Sequence, residues 1–182
     1  MGAFRRFVRL VGLLAAVFGT ASLTPSAQAA SQVLPNATVE ADEKTVLEII
    51  GTFDQAQEAI RARDLETLMS LYSDRYQYYE LRKEAVKAIW QDLFAHYDHI
   101  ANMHTFQAIK HVGSGEHARA EITCTGALWA ISKHTKARIP IDSWHQEVHY
   151  LIKEKGVWRI LGNAGGESHR PPQFGTAPHP LF

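Results

Sequence analysis

The residues best suited to chemistry lie in the stretch HQEVH, where His145, Glu147 and His149 are spaced two apart. Alternate residues of a β-strand share a face, so a carboxylate would stand between two imidazoles. Such a set could act as a base with its orienting partner. It could equally form the polar outer face of a strand, and we favour this because the opposite face makes the better core. That opposite face carries Trp144, Val148, Tyr150 and Ile152.

Two histidine groups raise the question of a metal site. HQEVH is not the zinc-protease order H-E-x-x-H, and on a strand His145 and His149 lie roughly 13 Å apart at ~3.3 Å per residue. A second group, near the end of the third predicted helix, comprises His96, Asp98, His99 and His104. His96 and His99 could face one side as ligands, but imidazoles are also favoured near a helix C-terminus. We therefore predict neither a metal nor a cofactor.

Cys124 is the only cysteine, and it lies in the apolar stretch RAEITCTGALWA. A single thiol allows no internal disulfide, so packing alone must hold the fold. We interpret Cys124 as a small buried hydrophobe, the alternative being a nucleophile or a redox thiol.

Large aromatic side chains on core-facing stripes could line a site for an apolar or planar ligand. The alternative for each of them is a place in the core. The pocket-lining candidates are Tyr76, Tyr78, Trp90, Phe94, Phe106, Trp144, Tyr150 and Trp158. No catalytic residue can be assigned among them.

Helical spacing dominates the first half of the chain. Residues 42–62 carry one apolar stripe, interrupted by Gln57, and Asp42 is a plausible N-cap. Asp64 predicts the start of a short second helix, and a third helix is predicted over residues 82–97.

Strand patterns dominate the second half. The predicted strands cover residues 75–81, 103–112, 118–131, 141–153 and 157–163. Gly156 supplies a turn between the last two, which makes them a hairpin. Helices followed by long antiparallel strands predict an α+β fold.

The two ends differ from this central region, residues 42–163. Residues 1–29 have a positive start, an apolar run of about 14 residues and the small residues Ala27-Gln28-Ala29, which are typical of a cleaved signal peptide. Residues 30–41 are predicted to be a flexible leader. Residues 164–182 form a tail rich in proline and glycine.

Cleavage would change the charge of the chain. The first 29 residues hold three of the 19 basic residues and none of the 19 acidic ones, so the mature net charge is −3. This excludes a general attraction for nucleic acid or an anionic membrane.

A resemblance to a known family rests on the order of helices followed by long antiparallel strands and on two segments, ARDLETLMSLYSDRYQYY and YLIKEKGVWRILGN. The chain resembles the nuclear transport factor 2-like superfamily, and its SnoaL-like branch in particular. The resemblance implies a cone-shaped fold with three N-terminal helices packed on a curved, mostly antiparallel sheet. It also implies an apolar pocket and frequent formation of homodimers through the outer face of the sheet. Shared fold does not transfer chemistry.

Three functions remain open at this point. The first is an exported, periplasmic or secreted protein that binds a small apolar or aromatic molecule. The second is an isomerase, dehydratase or cyclase that uses acid/base residues in the same pocket without a cofactor. The third is an adaptor subunit acting through the outer face of the sheet. We predict that Tyr78 and Tyr150 share a cavity. Finding the two tyrosines on opposite sides of the sheet would instead favour the adaptor.

Export gives the first testable prediction. If residues 1–29 are a signal peptide, the mature protein begins at Ala30 or within a few residues of it. Intact-mass analysis of protein from its native host measures this. Native material that retains residues 1–29 would contradict it.

Overall fold

The computed structural model describes residues 31–164. The helices are α1 (Glu43–Ala62), α2 (Leu65–Ser70) and α3 (Lys83–His96). The strands are β1 (Ser31–Glu40), β2 (Gln77–Tyr78), β3 (Leu81–Arg82), β4 (Tyr97–Val112), β5 (Arg119–Ser132), β6 (Arg138–Glu154) and β7 (Val157–Asn163). A short 3₁₀ turn, Gly115–His117, joins β4 to β5.

Five strands form one sheet in the order β1-β4-β5-β6-β7. Strand β1 runs parallel to β4, and the other pairs are antiparallel. Strands β2 and β3 form a separate two-residue pair. The helices pack on one face of the five-stranded sheet, called the inner face below. The predicted α+β class, with three helices on a mostly antiparallel sheet, is confirmed.

Local capping signals set the helix boundaries. The Asp42 carboxylate accepts a 2.9 Å hydrogen bond from the backbone N–H of Thr45, and Asp64 accepts one of 3.0 Å from Thr67. Each bond satisfies an N–H that the first helical turn leaves unpaired. Both predicted N-caps are therefore confirmed.

Two segments differ from the sequence-based expectation. The predicted flexible leader contains β1, which pairs with β4 on both sides of a break between Val33 and Thr38. Pro35 lies in that break, where no N–H is needed for pairing. The predicted strand over residues 75–81 is reduced to Gln77–Tyr78, because Tyr79 has a φ of 50° and turns the chain.

The predicted signal peptide and nearly all of the predicted tail lie outside the described residues. Within residues 31–164, no helix is long and apolar enough to cross a membrane.

The place of Trp158 in the final hairpin predicts packing against the first or the third helix, and the structure shows that it joins the closing strand to the first. The indole is 2 % exposed, and its Nε1–H donates to Glu48 of α1 over 3.1 Å. Lys153 makes a 2.6 Å ion pair with the same carboxylate, and its ammonium lies 5.5 Å from the centre of the indole. One side chain thus supplies both apolar packing and a partner for Glu48.

Removing this side chain should destabilise the protein strongly. Trp158→Ala should lower the free energy of unfolding by ~3–5 kcal/mol, because it leaves a cavity and removes a donor from Glu48. Urea denaturation measures the change. The half-buried Trp129 on the same sheet is a matched control, and Trp129→Ala should cost clearly less. A loss below about 1 kcal/mol for Trp158→Ala would contradict the packing described here.

Candidate active site on the inner face of the sheet

A β-bulge in β6 places Glu147 and His149 on the inner face. Strand β5 pairs Gly126 with Trp144 and Cys124 with Glu147, so the segment between these pairs is one residue longer on β6 than on β5. The extra residue shifts the alternation of β6 by one position. Trp144 and His149 are both buried as a result, at 7 % and 0 % exposure. The interpretation of the HQEVH face as a polar outer surface is therefore wrong for Glu147 and His149.

The bulge is built by Gln146 and Thr125. Gln146 has a φ of 51°, in the left-handed region. Its backbone N–H donates to the Thr125 hydroxyl over 3.0 Å, and Gln107 donates to the same oxygen over 2.7 Å. The Thr125 side chain thus replaces the ladder partner that the extra residue lost. His145 stays exposed on the outer face, as the sequence predicted.

Glu147, Asn163 and His149 form a hydrogen-bonded relay. The Asn163 amide Nδ2 donates to Glu147 over 2.9 Å, and its Oδ1 lies 3.0 Å from Nδ1 of His149. The Tyr78 hydroxyl also hydrogen-bonds to the Glu147 carboxylate. Strands β2, β6 and β7 therefore each contribute to one acid/base group, in which Glu147 is half-buried and His149 fully buried.

This arrangement sets the tautomer of His149. A carboxylate can only accept, so the Asn163 NH₂ group faces Glu147 and the amide oxygen faces the imidazole. His149 must then donate from Nδ1, and neutral His149 carries its lone pair on Nε2. A carboxylate, an amide and an imidazole in series are the parts of an oriented general base.

A second buried network surrounds His104 on β4. The Asn102 Nδ2 lies 3.0 Å from Nε2 of His104, and the Cys124 sulfur lies 3.6 Å from Nδ1. The Trp144 indole Nε1–H donates to the same sulfur over 3.4 Å. Cys124 is buried, as predicted, but it also serves as a hydrogen-bonding partner.

Aromatic rings connect the two networks. Phe53 of α1 lies with its ring centre 4.9 Å from that of His104 and 6.2 Å from that of His149. The Trp144 ring lies 5.1 Å and 6.3 Å from the same two imidazoles. Phe106 stacks on His104 at 6.1 Å. Both histidines therefore sit in a largely apolar, low-dielectric setting.

Burial shifts the pKa values of these groups. Desolvation raises the pKa of the Glu147 carboxyl, and the nearby Asp142 charge raises it further. Desolvation lowers the pKa of His104 well below its ordinary value, with a further contribution from His149. Burial raises the pKa of the Cys124 thiol to about 11, so it is no thiolate near neutral pH. A buried imidazole with a lowered pKa beside a carboxyl with a raised pKa is typical of acid/base sites.

The predicted pocket residues divide into three places. Tyr78 contacts Glu147, while Phe106 and Trp144 surround His104. Tyr76 is buried close enough to Tyr78 and Glu147 to interact with them electrostatically. Trp90, Phe94 and Trp158 are buried elsewhere in the core. Trp90 donates to the buried Tyr72 hydroxyl over 3.3 Å, and Trp158 binds Glu48.

Tyr150 lies on the outer face and is 36 % exposed. It follows the bulge, so its side chain points away from Tyr78, which is 8 % exposed on the inner side. The prediction that these two tyrosines share a cavity is wrong. The physical reason is the one-residue shift at Gln146, which exchanges the faces of the residues that follow it, His149 and Tyr150 included.

Asn102 and Asn163 escaped the sequence-based search. Each is buried beside a histidine. In the sequence, each is a polar residue on an otherwise apolar strand face, and such a residue indicates a buried polar contact. Among residues 31–164, no group of three or more His, Cys, Asp or Glu side chains could hold a metal ion. His96 pairs with Asp92 at 3.2 Å on the surface.

No protein-family model and no curated protein matches this chain. Solved structures do match. A conserved protein from Planctomyces limnophilus superposes with a TM-score of 0.56 at 19 % identity, over 66 % of this chain and 93 % of that one. Aln2 from a Streptomyces species gives 0.50 at 11 % identity, over 68 % and 91 %.

A third neighbour carries a family name. It is a dehydratase candidate of the nuclear transport factor 2-like family from Streptomyces avermitilis, with a TM-score of 0.50 at 13 % identity, over 66 % of this chain and 94 % of that one. At such identities the likeness concerns the fold alone. The chain therefore has a nuclear transport factor 2-like fold, as the sequence resemblance implied.

The buried His104 should make stability depend on pH. The pKa of His104 is lowered in the folded protein. Below about pH 6.5 the His104 imidazole therefore binds a proton in the unfolded chain but stays neutral in the folded one. Stability from this group is thus present above that value and decreases on acidification, by at most ~1.4 kcal/mol per pH unit. Urea denaturation of wild type and His104→Gln at about pH 7.5 and 5.5 measures the difference. Wild type should lose more stability than the variant; equal losses would contradict the buried, neutral imidazole.

Proposed function

We propose that this protein is a cofactor-independent acid/base enzyme of the isomerase, dehydratase or cyclase type, acting on a small apolar or aromatic molecule. The observation that carries the proposal is the buried relay from Glu147 through Asn163 to His149. We also propose that the protein belongs to the SnoaL-like branch, is exported through residues 1–29, and works in the periplasm or outside the cell.

The relay suits reversible proton transfer at Nε2 of His149. In one direction the Nε2 lone pair takes a proton from an acidic C–H or O–H of the substrate, and in the other it returns that proton. The imidazolium formed in between carries a positive charge next to the Asn163 amide. The Glu147 carboxylate stabilises that charge through the same amide, while Tyr78 holds the carboxylate in place.

The charge distribution favours a neutral substrate. Among the described residues, the buried polar and charged side chains include no lysine and no arginine. An anionic ligand placed beside Glu147 would lack a counter-charge in a low-dielectric setting, which is strongly unfavourable. The aromatic rings around both histidines supply apolar surface instead.

A matched pair of histidine variants tests the proposal. The probe is 2-tetralone, a neutral aromatic ketone whose α-protons exchange slowly with D₂O and are followed by NMR. His149→Gln and Glu147→Gln should lower the protein-catalysed exchange rate by ~10²–10⁴-fold, the usual contribution of a general base. The control is His145→Gln, on the exposed outer face of the same strand, which should leave the rate unchanged.

Two other outcomes would change the assignment. Binding of 2-tetralone without any effect of either inner-face variant on exchange would contradict the enzyme and favour a simple binding protein. No binding at all would leave the adaptor function as the better account.

Two observations favour the adaptor as a second candidate, and the first is that Tyr78 and Tyr150 lie on opposite sides of the sheet. The second is that an open groove of about 630 Å³ lies on the outer side of the sheet, next to the exposed Tyr150 and Val112 and the half-buried Leu161. A partly apolar outer surface of this kind suits a protein partner or a second copy of the chain. We propose a homodimer through this face. Light scattering on wild type and Tyr150→Glu measures it, and a wild-type monomer would contradict it.

A further inference from the structure

Asn102 is a wholly buried amide with one oxygen left over. Its side chain is 0 % exposed, and its Nδ2 lies 3.0 Å from Nε2 of His104. Its Oδ1 has no hydrogen-bond partner among the described residues. A buried carbonyl oxygen without a donor is unfavourable, so it requires a partner such as a bound molecule or an ordered water.

The neighbours of Asn102 are already engaged. Both ring nitrogens of His104 have partners, Asn102 on one side and the Cys124 sulfur on the other. The Asn102 backbone oxygen accepts from the Gln57 side chain over 3.0 Å. The Cys124 thiol donates to the Thr125 carbonyl over 3.5 Å, so its sulfur accepts from Nδ1–H of His104. Nε2 of His104 then accepts from the Asn102 NH₂ group, which leaves the amide oxygen as the atom that lacks a donor.

We propose that Asn102 Oδ1 receives a hydrogen-bond donor of the ligand, and that the ligand therefore carries a hydroxyl or N–H group on an aromatic or apolar body. This rests on the proposed function, because it requires a ligand on the inner face. The rings of Phe106 and Trp144 beside His104 supply the apolar wall next to that donor. Asn102 is thus a residue that determines specificity, separate from the relay that moves the proton.

Asn102 Oδ1 should distinguish ligands that carry a free hydrogen-bond donor from analogues in which that donor is blocked. An oxygen that can only accept will discriminate against an analogue whose donor is blocked, since the analogue leaves the oxygen unpaired. The matched probes are 2-naphthol and 2-methoxynaphthalene, which share the ring system and the oxygen but differ in the O–H. Quenching of tryptophan fluorescence measures the affinity of each.

Wild type should bind 2-naphthol about tenfold or more tightly than 2-methoxynaphthalene, in line with one buried hydrogen bond and one avoided unpaired oxygen. Asn102→Leu should reduce this preference to near unity. His111→Leu is the matched control, because the His111 Nε2 on β4 is also buried without a partner among the described residues, but its ring packs against Trp158 and takes no part in the bulge. That control should keep the preference.

Equal affinities in wild type would overturn the proposal and would assign the Asn102 oxygen to an ordered water or to nothing. An unchanged preference in Asn102→Leu would overturn it as well, as would failure of both probes to bind at about 1 mM. If Asn102→Leu does not fold, ¹⁵N-asparagine labelling of wild type decides: the Asn102 NH₂ signals should shift with 2-naphthol and not with its methyl ether. A failure of the proposed function would be seen in a different experiment, as a proton-exchange rate that does not change in the Glu147 and His149 variants.

Discussion

The inner face of this sheet depends on one extra residue in β6. The bulge at Gln146 reverses the alternation of the strand, so that Trp144 and His149 both face the helices. Without it, Glu147 and His149 would point outwards and the relay to Asn163 could not form. The local cost of a left-handed Gln146 is offset by the Thr125 hydroxyl, which accepts from the bulged N–H.

Burying these polar groups constrains the surrounding strands. Glu147 is tolerated on the inner face because Asn163 and Tyr78 both donate to it, and each partner comes from a different strand. The approach of β2 requires Gly162, since a side chain there would collide with the Gln77 carbonyl. A glycine on β7 thus allows Tyr78 to reach the carboxylate on β6.

The parts of the fold that could be predicted are those with local signals. Asp42 and Asp64 cap their helices through residues only three positions away, and the turn at Gly156 defines the last hairpin. The bulge could not be predicted, because it depends on a threonine of the neighbouring strand. Assigning the faces of β6 by simple alternation therefore placed Tyr150 inside and His149 outside. The residues of the candidate site were visible in HQEVH, but their direction was not.

The tautomer of His149 tests the central claim most directly. Long-range ¹H–¹⁵N spectra of protein labelled with ¹⁵N-histidine distinguish a proton on Nδ1 from one on Nε2. The relay requires neutral His149 to carry its proton on Nδ1, in the bond to Asn163, as a single tautomer. An Nε2–H tautomer, or the averaged signal of a solvent-exposed imidazole, would contradict the inner-face site.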